Sequence, residues 1–307
     1  MTEETYRRAE RVLWDSVGAE PTERHLALER TGATVRVQEV GEGEPVVFVH
    51  GASNSGTSWA SLAARLEGFR CVLIDRPGCG LSPPLASGLR DMTELGSFAD
   101  ALVVDVLDAI DAASATVVGT SFGGYFVLRA AAAHPDRIDR VVTLSWSFGA
   151  PTVSTPLVMR IAMQPLLRRL ATKISPTERM ARAMLKQIGL RHAVESGSFG
   201  AVEMAWFLSL LRDTDTMRNE IDAMPRVVTM RGFNDETLLL PSLLAQVTSP
   251  TYVLWGEDDP MGGAEIAREF VSGLPNAELE LMPRAGHAPW MDDPDHVAER
   301  VGAFLRA

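Results

Sequence analysis

The chain has 307 residues, 46% of them hydrophobic and 22% charged, a balance that permits a large buried core and excludes the low-hydrophobicity regime of disorder. Its formal net charge of −11 argues against nucleic acid and anionic membrane surfaces as partners, since both repel a polyanion. No stretch approaches the roughly 20 apolar residues of a membrane span, and the charged start Met1-Thr-Glu-Glu-Thr-Tyr-Arg-Arg is followed by no signal-type apolar run, so a cytoplasmic protein is expected.

Residues 1–24 precede the first strand signal. Tyr6, Val12, Leu13 and Trp14 fall there at loosely helical spacing, which points to an arm packed on the body or on a partner and leaves a homo-oligomer open. Strand-length runs follow at His25–Arg30 and Thr34–Val40, joined into a hairpin by the tight-turn pair Thr31-Gly32. Further runs lie at Pro45–His50, Phe69–Asp75, Ala115–Gly119, Arg140–Ser145, Thr251–Trp255 and Glu278–Met282. These are short and rich in Val, Ile and Leu, as strands covered on both faces of a parallel sheet are.

Helical patterns at Ser58–Leu66, Leu95–Ile110, Phe122–Ala133, Ala264–Val271 and Pro294–Leu305 alternate with those runs. Together they predict an α/β fold with an eight-stranded, mostly parallel sheet and helices on both faces. Between Ser147 and Thr248 the alternation gives way to helical periodicity. Within it, Ser175-Pro-Thr-Glu178 reads as an N-cap, a first-turn proline and a capping-box glutamate. A mainly helical insertion over residues 150–246 is therefore expected within a core formed by residues 25–149 and 247–307. Cys71 and Cys79 are expected to be free thiols, because a lone pair makes no disulfide framework.

Chemistry concentrates at the carboxyl ends of the strands. Gly119-Thr-Ser121-Phe-Gly123-Gly124 sits between a strand and a helix, the setting in which G-x-S-x-G presents a serine on a sharp turn beside helix N–H groups. A serine hydroxyl needs a base within hydrogen-bond reach. Of six histidines, His287 lies in a loop directly after the last strand, where it reaches the same sheet edge as Ser121. His25, His134, His192 and His296 have no such placement. The base needs a carboxylate to hold its tautomer, and Glu257, Asp258 and Asp259 follow the strand Thr251–Trp255, with Asp259 preferred to its neighbours. The chain order of serine, acid and histidine suits this strand–turn–helix setting. No metal and no cofactor is expected, since the acids lack the further oxygen ligands a hard cation wants.

Five motifs in order, His50-Gly51, Asp75-Arg-Pro-Gly78-Cys-Gly80-Leu-Ser82, Gly119-x-Ser121-x-Gly123, Gly256-x-x-Asp259 and Gly286-His287, resemble the α/β-hydrolase superfamily over nearly the whole chain. The resemblance implies a capped serine hydrolase, carboxylesterase-like, with a catalytic triad of Ser121, Asp259 and His287. It also implies an oxyanion hole formed by the backbone N–H groups of Phe122 and Ala52, with Ser53 as fallback for the latter, and a structural role for His50. The insertion corresponds to the family's cap domain. Met159, Met163, Trp206 and Phe207 within it, and Trp146 and Phe148 just after the sixth strand, are candidate pocket residues. Met159 and Met163 belong to one apolar helix face, Trp206 and Phe207 to another.

The function expected on this basis is hydrolysis of an ester or related acyl bond of a moderately apolar small molecule through an acyl-enzyme. Two alternatives remain: a carbon–carbon bond hydrolase of ring-cleavage diketones, which shares the triad, and a ligand receptor built on the capped pocket.

Overall fold

The computed structural model describes residues 2–152, 164, 174–229 and 232–307. Helix α1 (Glu3–Ser16) opens with Glu3 and Glu4, whose charge suits the positive end of the helix dipole. Its buried side carries Tyr6, Glu10, Leu13 and Trp14. Strands β1 (Thr22–Ala27) and β2 (Thr34–Val40) form the expected antiparallel hairpin. β1 ends before Arg30 because the Leu28 N–H donates to the Ala33 carbonyl at 2.8 Å and closes the turn early.

β3 (Glu44–Val49) leads into a 3₁₀ turn and α2 (Ala60–Ala63), then β4 (Phe69–Ile74), α3 (Met92–Ala109), β5 (Ala115–Ser121), α4 (Phe122–Ala133) and β6 (Ile138–Ser147). The insertion supplies α5 (Glu178–Gln187), α6 (Arg191–Ser196), α7 (Ala201–Asp213), α8 (Thr216–Val227) and α9 (Pro241–Leu244). The chain closes with β7 (Thr251–Gly256), α10 (Ala264–Ser272), β8 (Ala277–Met282), α11 (Pro289–Asp292) and α12 (Pro294–Arg306). Thr177 rather than Ser175 caps α5. Its extended backbone lets Oγ1 accept from the Met180 N–H, so the helix begins only at Glu178.

The main sheet runs β1-β2-β4-β3-β5-β6-β7-β8. β2 is antiparallel to β1 and β4, and every other neighbouring pair is parallel. Alternate side chains enter opposite cores, as a strand's two-residue period requires. Val47 and Val49 join α3 and α4 on one face, while Val46 and Phe48 join Trp59, Trp290, α1 and α7 on the other.

A buried ion cluster ties α1 to the sheet. The Arg36 guanidinium, 1% exposed, donates to Glu10, to Glu23 and, at 3.1 Å, to Asp75. The other Asp75 oxygen accepts from the Gly56 N–H at 2.7 Å. Glu10 thus occupies an otherwise apolar helix face because a charge buried there must be paired. Cys71 and Cys79 are free and buried. Among the described residues no helix is long and apolar enough to cross a membrane.

Candidate active site

β5 ends at Ser121, whose φ of 52° and ψ of −123° put a side-chain-bearing residue in a strained region typical of functional turns. The turn needs glycine behind it: a Cβ on Gly123 would lie 1.9 Å from the Val49 carbonyl oxygen. The loop after β3 also passes close, since a Cβ on Gly51 would come 3.0 Å from Ser121 Cβ.

His287 follows β8, and its Nδ1 lies 2.7 Å from Oδ2 of Asp259. The Asp259 carboxylate is fully buried and also accepts from the N–H groups of Trp146 at 3.1 Å and Met261 at 2.9 Å. An ionised carboxylate only accepts, so Nδ1 carries the proton and Nε2 is the basic nitrogen. Asp258 turns outward to His192, 2.7 Å away. Of the three neighbouring acids, the structure therefore brings Asp259 to His287. Ser121, Phe122, Ala52, Ser53 and His287 line one cavity of about 550 Å³.

His50 is fully buried, and its two nitrogens are committed. Nε2 accepts from the Arg76 N–H at 3.0 Å, which leaves Nδ1 to donate to the Gly51 carbonyl at 2.7 Å. Burial, reinforced by the Arg76 charge, pushes its pKa well below the ordinary histidine value, so it is held neutral as a brace. Arg76 adds a second donor, from Nη2 to the same Gly51 oxygen at 2.9 Å. In a trans peptide the N–H points opposite the C=O. Two donors on the Gly51 oxygen therefore turn the Ala52 N–H away from them, available to the cavity that Ala52 lines. The Phe122 N–H begins α4, where the first helical N–H groups have no intrahelical acceptor. Ala52, Phe122 and Ser121 line the same cavity.

Trp146 and Phe148 line the cavity as expected. Trp146 stacks on Phe233 with ring centroids 5.3 Å apart, and Phe148 meets Phe122 edge-on at 5.2 Å. Trp206 and Phe207 do not line it. They are buried in the opposite core, where α7 packs against α1, because the apolar stripe of α1 needs a cover and α7 supplies it. Met159 and Met163 lie outside the described residues.

Sequence reasoning missed a wall of Leu85, Leu89, Met92, Leu95 and Phe98, and a polar group on the cavity rim. There the Arg76 guanidinium reaches from the core to Glu220 of α8 at 2.9 Å and sits 4.8 Å over the Phe122 ring. Arg226 and Asp222, also of α8, line the cavity too. The motif Asp75-Arg-Pro-Gly marks the position of Arg76, but nothing in it signals a buried charge facing the pocket.

A serine on a strained strand–helix turn, with a histidine paired to a buried carboxylate at the same sheet edge, defines a hydrolase of the α/β type. The chain belongs to the alpha/beta hydrolase family, whose profile matches residues 46–300. It is 28% identical over 264 residues to a 2-hydroxy-6-oxononadienedioate/2-hydroxy-6-oxononatrienedioate hydrolase of Cupriavidus pinatubonensis, covering 83% of this chain and 85% of that one. A hydrolase of the same name from Dechloromonas aromatica is 27% identical, with coverage of 85% and 86%. Among solved structures, the naproxen esterase of Bacillus subtilis superposes with a TM-score of 0.75 at 19% identity, covering 98% of this chain and 95% of that one. The 2-hydroxy-6-oxo-6-phenylhexa-2,4-dienoate hydrolase of a Rhodococcus strain gives a TM-score of 0.74 at 19% identity, covering 94% of this chain and 100% of that one. At such identities the structural likeness shows the fold alone.

Proposed function

We propose that this enzyme hydrolyses the carbon–carbon bond beside the ketone of a 2-hydroxy-6-oxo-dienoate, a ring-cleavage product, using Ser121 as nucleophile, His287 as base then acid, and Asp259 to orient His287. The observation that carries this reading is the name shared by relatives matched over more than four-fifths of both chains. It displaces the ester reading to second place. A 2-hydroxy-6-oxo-dienedioate contains no ester or amide, so a hydrolase acting on such a compound must add water across a carbon–carbon bond.

The site is suited to that step. Attack of the Ser121 oxygen on the C6 ketone places negative charge on an oxygen that the N–H groups of Ala52 and Phe122, which line the same cavity, would receive, and one such donor is commonly worth roughly 3 kcal/mol. Collapse breaks C5–C6. This requires that the 2-hydroxy-dienoate first become its 2-oxo tautomer, the 2-hydroxyl giving up a proton and C5 taking one up. The electron pair of C5–C6 is then delocalised from C5 onto the 2-oxo oxygen as a dienolate, which takes the proton that His287 removed from Ser121. Water, deprotonated by His287, then releases the acyl group from Ser121.

The lining also bears on the substrate. Arg226 has no carboxylate partner among the described residues and supports recognition of one carboxylate. The apolar wall from Leu85 to Phe98 supports an apolar substituent at C6 rather than a second carboxylate. The same cavity accommodates an apolar ester, which is why esters form the control arm of the test. The test compares kcat/KM for 6-phenyl and 6-alkyl 2-hydroxy-6-oxohexa-2,4-dienoates with p-nitrophenyl esters of graded acyl length. A higher value for a dienoate than for every ester is expected. The reverse order would return the ester reading to first place, and a dicarboxylate turned over best would refute the apolar C6 group.

A further inference from the structure

The segment Gly189–Ala193 of the insertion lies directly on the two loops that carry His287 and Asp259. A Cβ on Gly286 would fall 1.7 Å from the Gly189 carbonyl oxygen, and one on Gly189 would fall 2.7 Å from the His287 nitrogen. Backbone meets backbone here with no side chain between. Two side-chain ties hold the contact. Asp292 Oδ2 accepts from the Gly286 N–H at 2.9 Å, and its Oδ1 accepts from the Ala193 N–H of α6 at 2.8 Å. On the acid side, His192 Nε2 meets Asp258 at 2.7 Å, one residue before Asp259.

We infer that Asp292 is a positioning residue for His287: its carboxylate joins the histidine loop to the insertion, so the base is held in register only while the segment Gly189–Ala193 is docked. Asp292 does not line the cavity, and it acts on His287 through the Ala285–Gly286 peptide, whose N–H it holds one residue before the histidine. The inference rests on His287 being the base of the proposed mechanism but not on which bond is cleaved.

The ionisation of Asp292 makes the tie sensitive to acid. Burial raises its carboxyl to about 6, against the accepted N–H bonds of Gly286 and Ala193 and the attraction of His192, while Asp258 adds to the rise. The other charges on α6 face elsewhere, Glu195 pairing with Lys186 and Arg191. An ionised carboxylate offers both oxygens as full acceptors, whereas a protonated one converts an oxygen into a donor facing a backbone N–H. The double tie therefore weakens below a pH of about 6. Stability runs the other way. A carboxyl raised from 3.8 to about 6 binds its proton more tightly when folded, so its contribution to stability falls as pH rises through that window and is lowest above it. Replacing Asp292 with a neutral residue thus separates the positioning role from a structural one.

The test measures steady-state turnover of wild type and Asp292→Asn across pH 5–8, normalised to sites titrated with a fluorophosphonate. The variant is expected to keep its Tm at pH 7.5 and its KM, and to lose roughly 10- to 100-fold in kcat per titrated site, the scale on which small misplacement of a catalytic group acts. Its acid limb should lose one ionisation. Turnover per titrated site within twofold of wild type would overturn the inference. If the variant does not fold, the wild-type profile decides: log kcat should fall with a slope steeper than one between pH 6 and 5, and a slope of one or less would contradict it. Failure of the serine mechanism itself would appear separately, as wild-type protein that the probe does not titrate.

Discussion

The Arg76 guanidinium donates to the Gly51 carbonyl oxygen at 2.9 Å, and through that one peptide it orients the Ala52 N–H beside Ser121. His50 donates to the same oxygen, and Glu220 of α8 holds the guanidinium from the far side. Arg76→Gln removes the charge and the fork that reaches Gly51 and Glu220 together. A fall in kcat of roughly 10- to 100-fold is expected, part of the roughly 3 kcal/mol that a whole oxyanion donor supplies. Steady-state kinetics check it, and an unchanged kcat would show that His50 alone suffices to hold the peptide.

Asp258 and Asp259 are adjacent in sequence and opposite in placement. Asp259 is buried on His287, and Asp258 is exposed on His192. Asp259→Asn is expected to cost on the order of 10³- to 10⁴-fold in kcat, as loss of the triad acid does elsewhere. Asp258→Asn should remain within a few-fold of wild type. Measuring the two side by side removes ambiguity from protein quality, and equal losses would contradict the geometry.

The strands were legible because a strand covered on both faces needs an unbroken apolar run, as Val46–Val49 has. The turn at Ser121 was legible because Gly123 is a steric necessity against the Val49 carbonyl. Charges buried by partners far away in sequence were not. Glu10, Arg36 and Asp75, or Arg76 and Glu220, look like surface residues until the fold brings them together. Trp206 and Phe207 show another limit: an amphipathic pattern says that a face is buried, not whether a cavity or another helix buries it.

That distinction separates two aromatic substitutions. Phe148→Ala enlarges the cavity and is expected to shift preference towards bulkier C6 groups or longer acyl chains. Trp206→Ala should leave the preference order unchanged while destabilising the fold by about 3–5 kcal/mol, the usual cost of deleting a buried aromatic. A substrate panel with denaturant titration checks both, and a changed order in the Trp206 variant would place it back at the cavity.

Glu23 sets the acid stability of the amino-terminal hairpin. Burial alone would raise its carboxyl, but hydrogen bonds from Arg7 and Arg36 outweigh it and hold it at about 2, below the ordinary 4.5. A depressed value contributes stability that is complete above the unfolded-state value and is lost as pH falls from about 4.5 to about 2. Glu23→Gln should therefore melt below wild type at pH 7, with the two Tm curves converging as pH drops through that window. Parallel curves would contradict the assignment.

The most direct test of the account is fluorophosphonate labelling, since the probe reacts where an activated serine, a base and oxyanion donors converge. Mass spectrometry of digested wild-type protein should place the label on the peptide containing Ser121, and Ser121→Ala should abolish it. Folded wild-type protein that stays unlabelled, or carries the label on another serine, would contradict the triad of Ser121, His287 and Asp259.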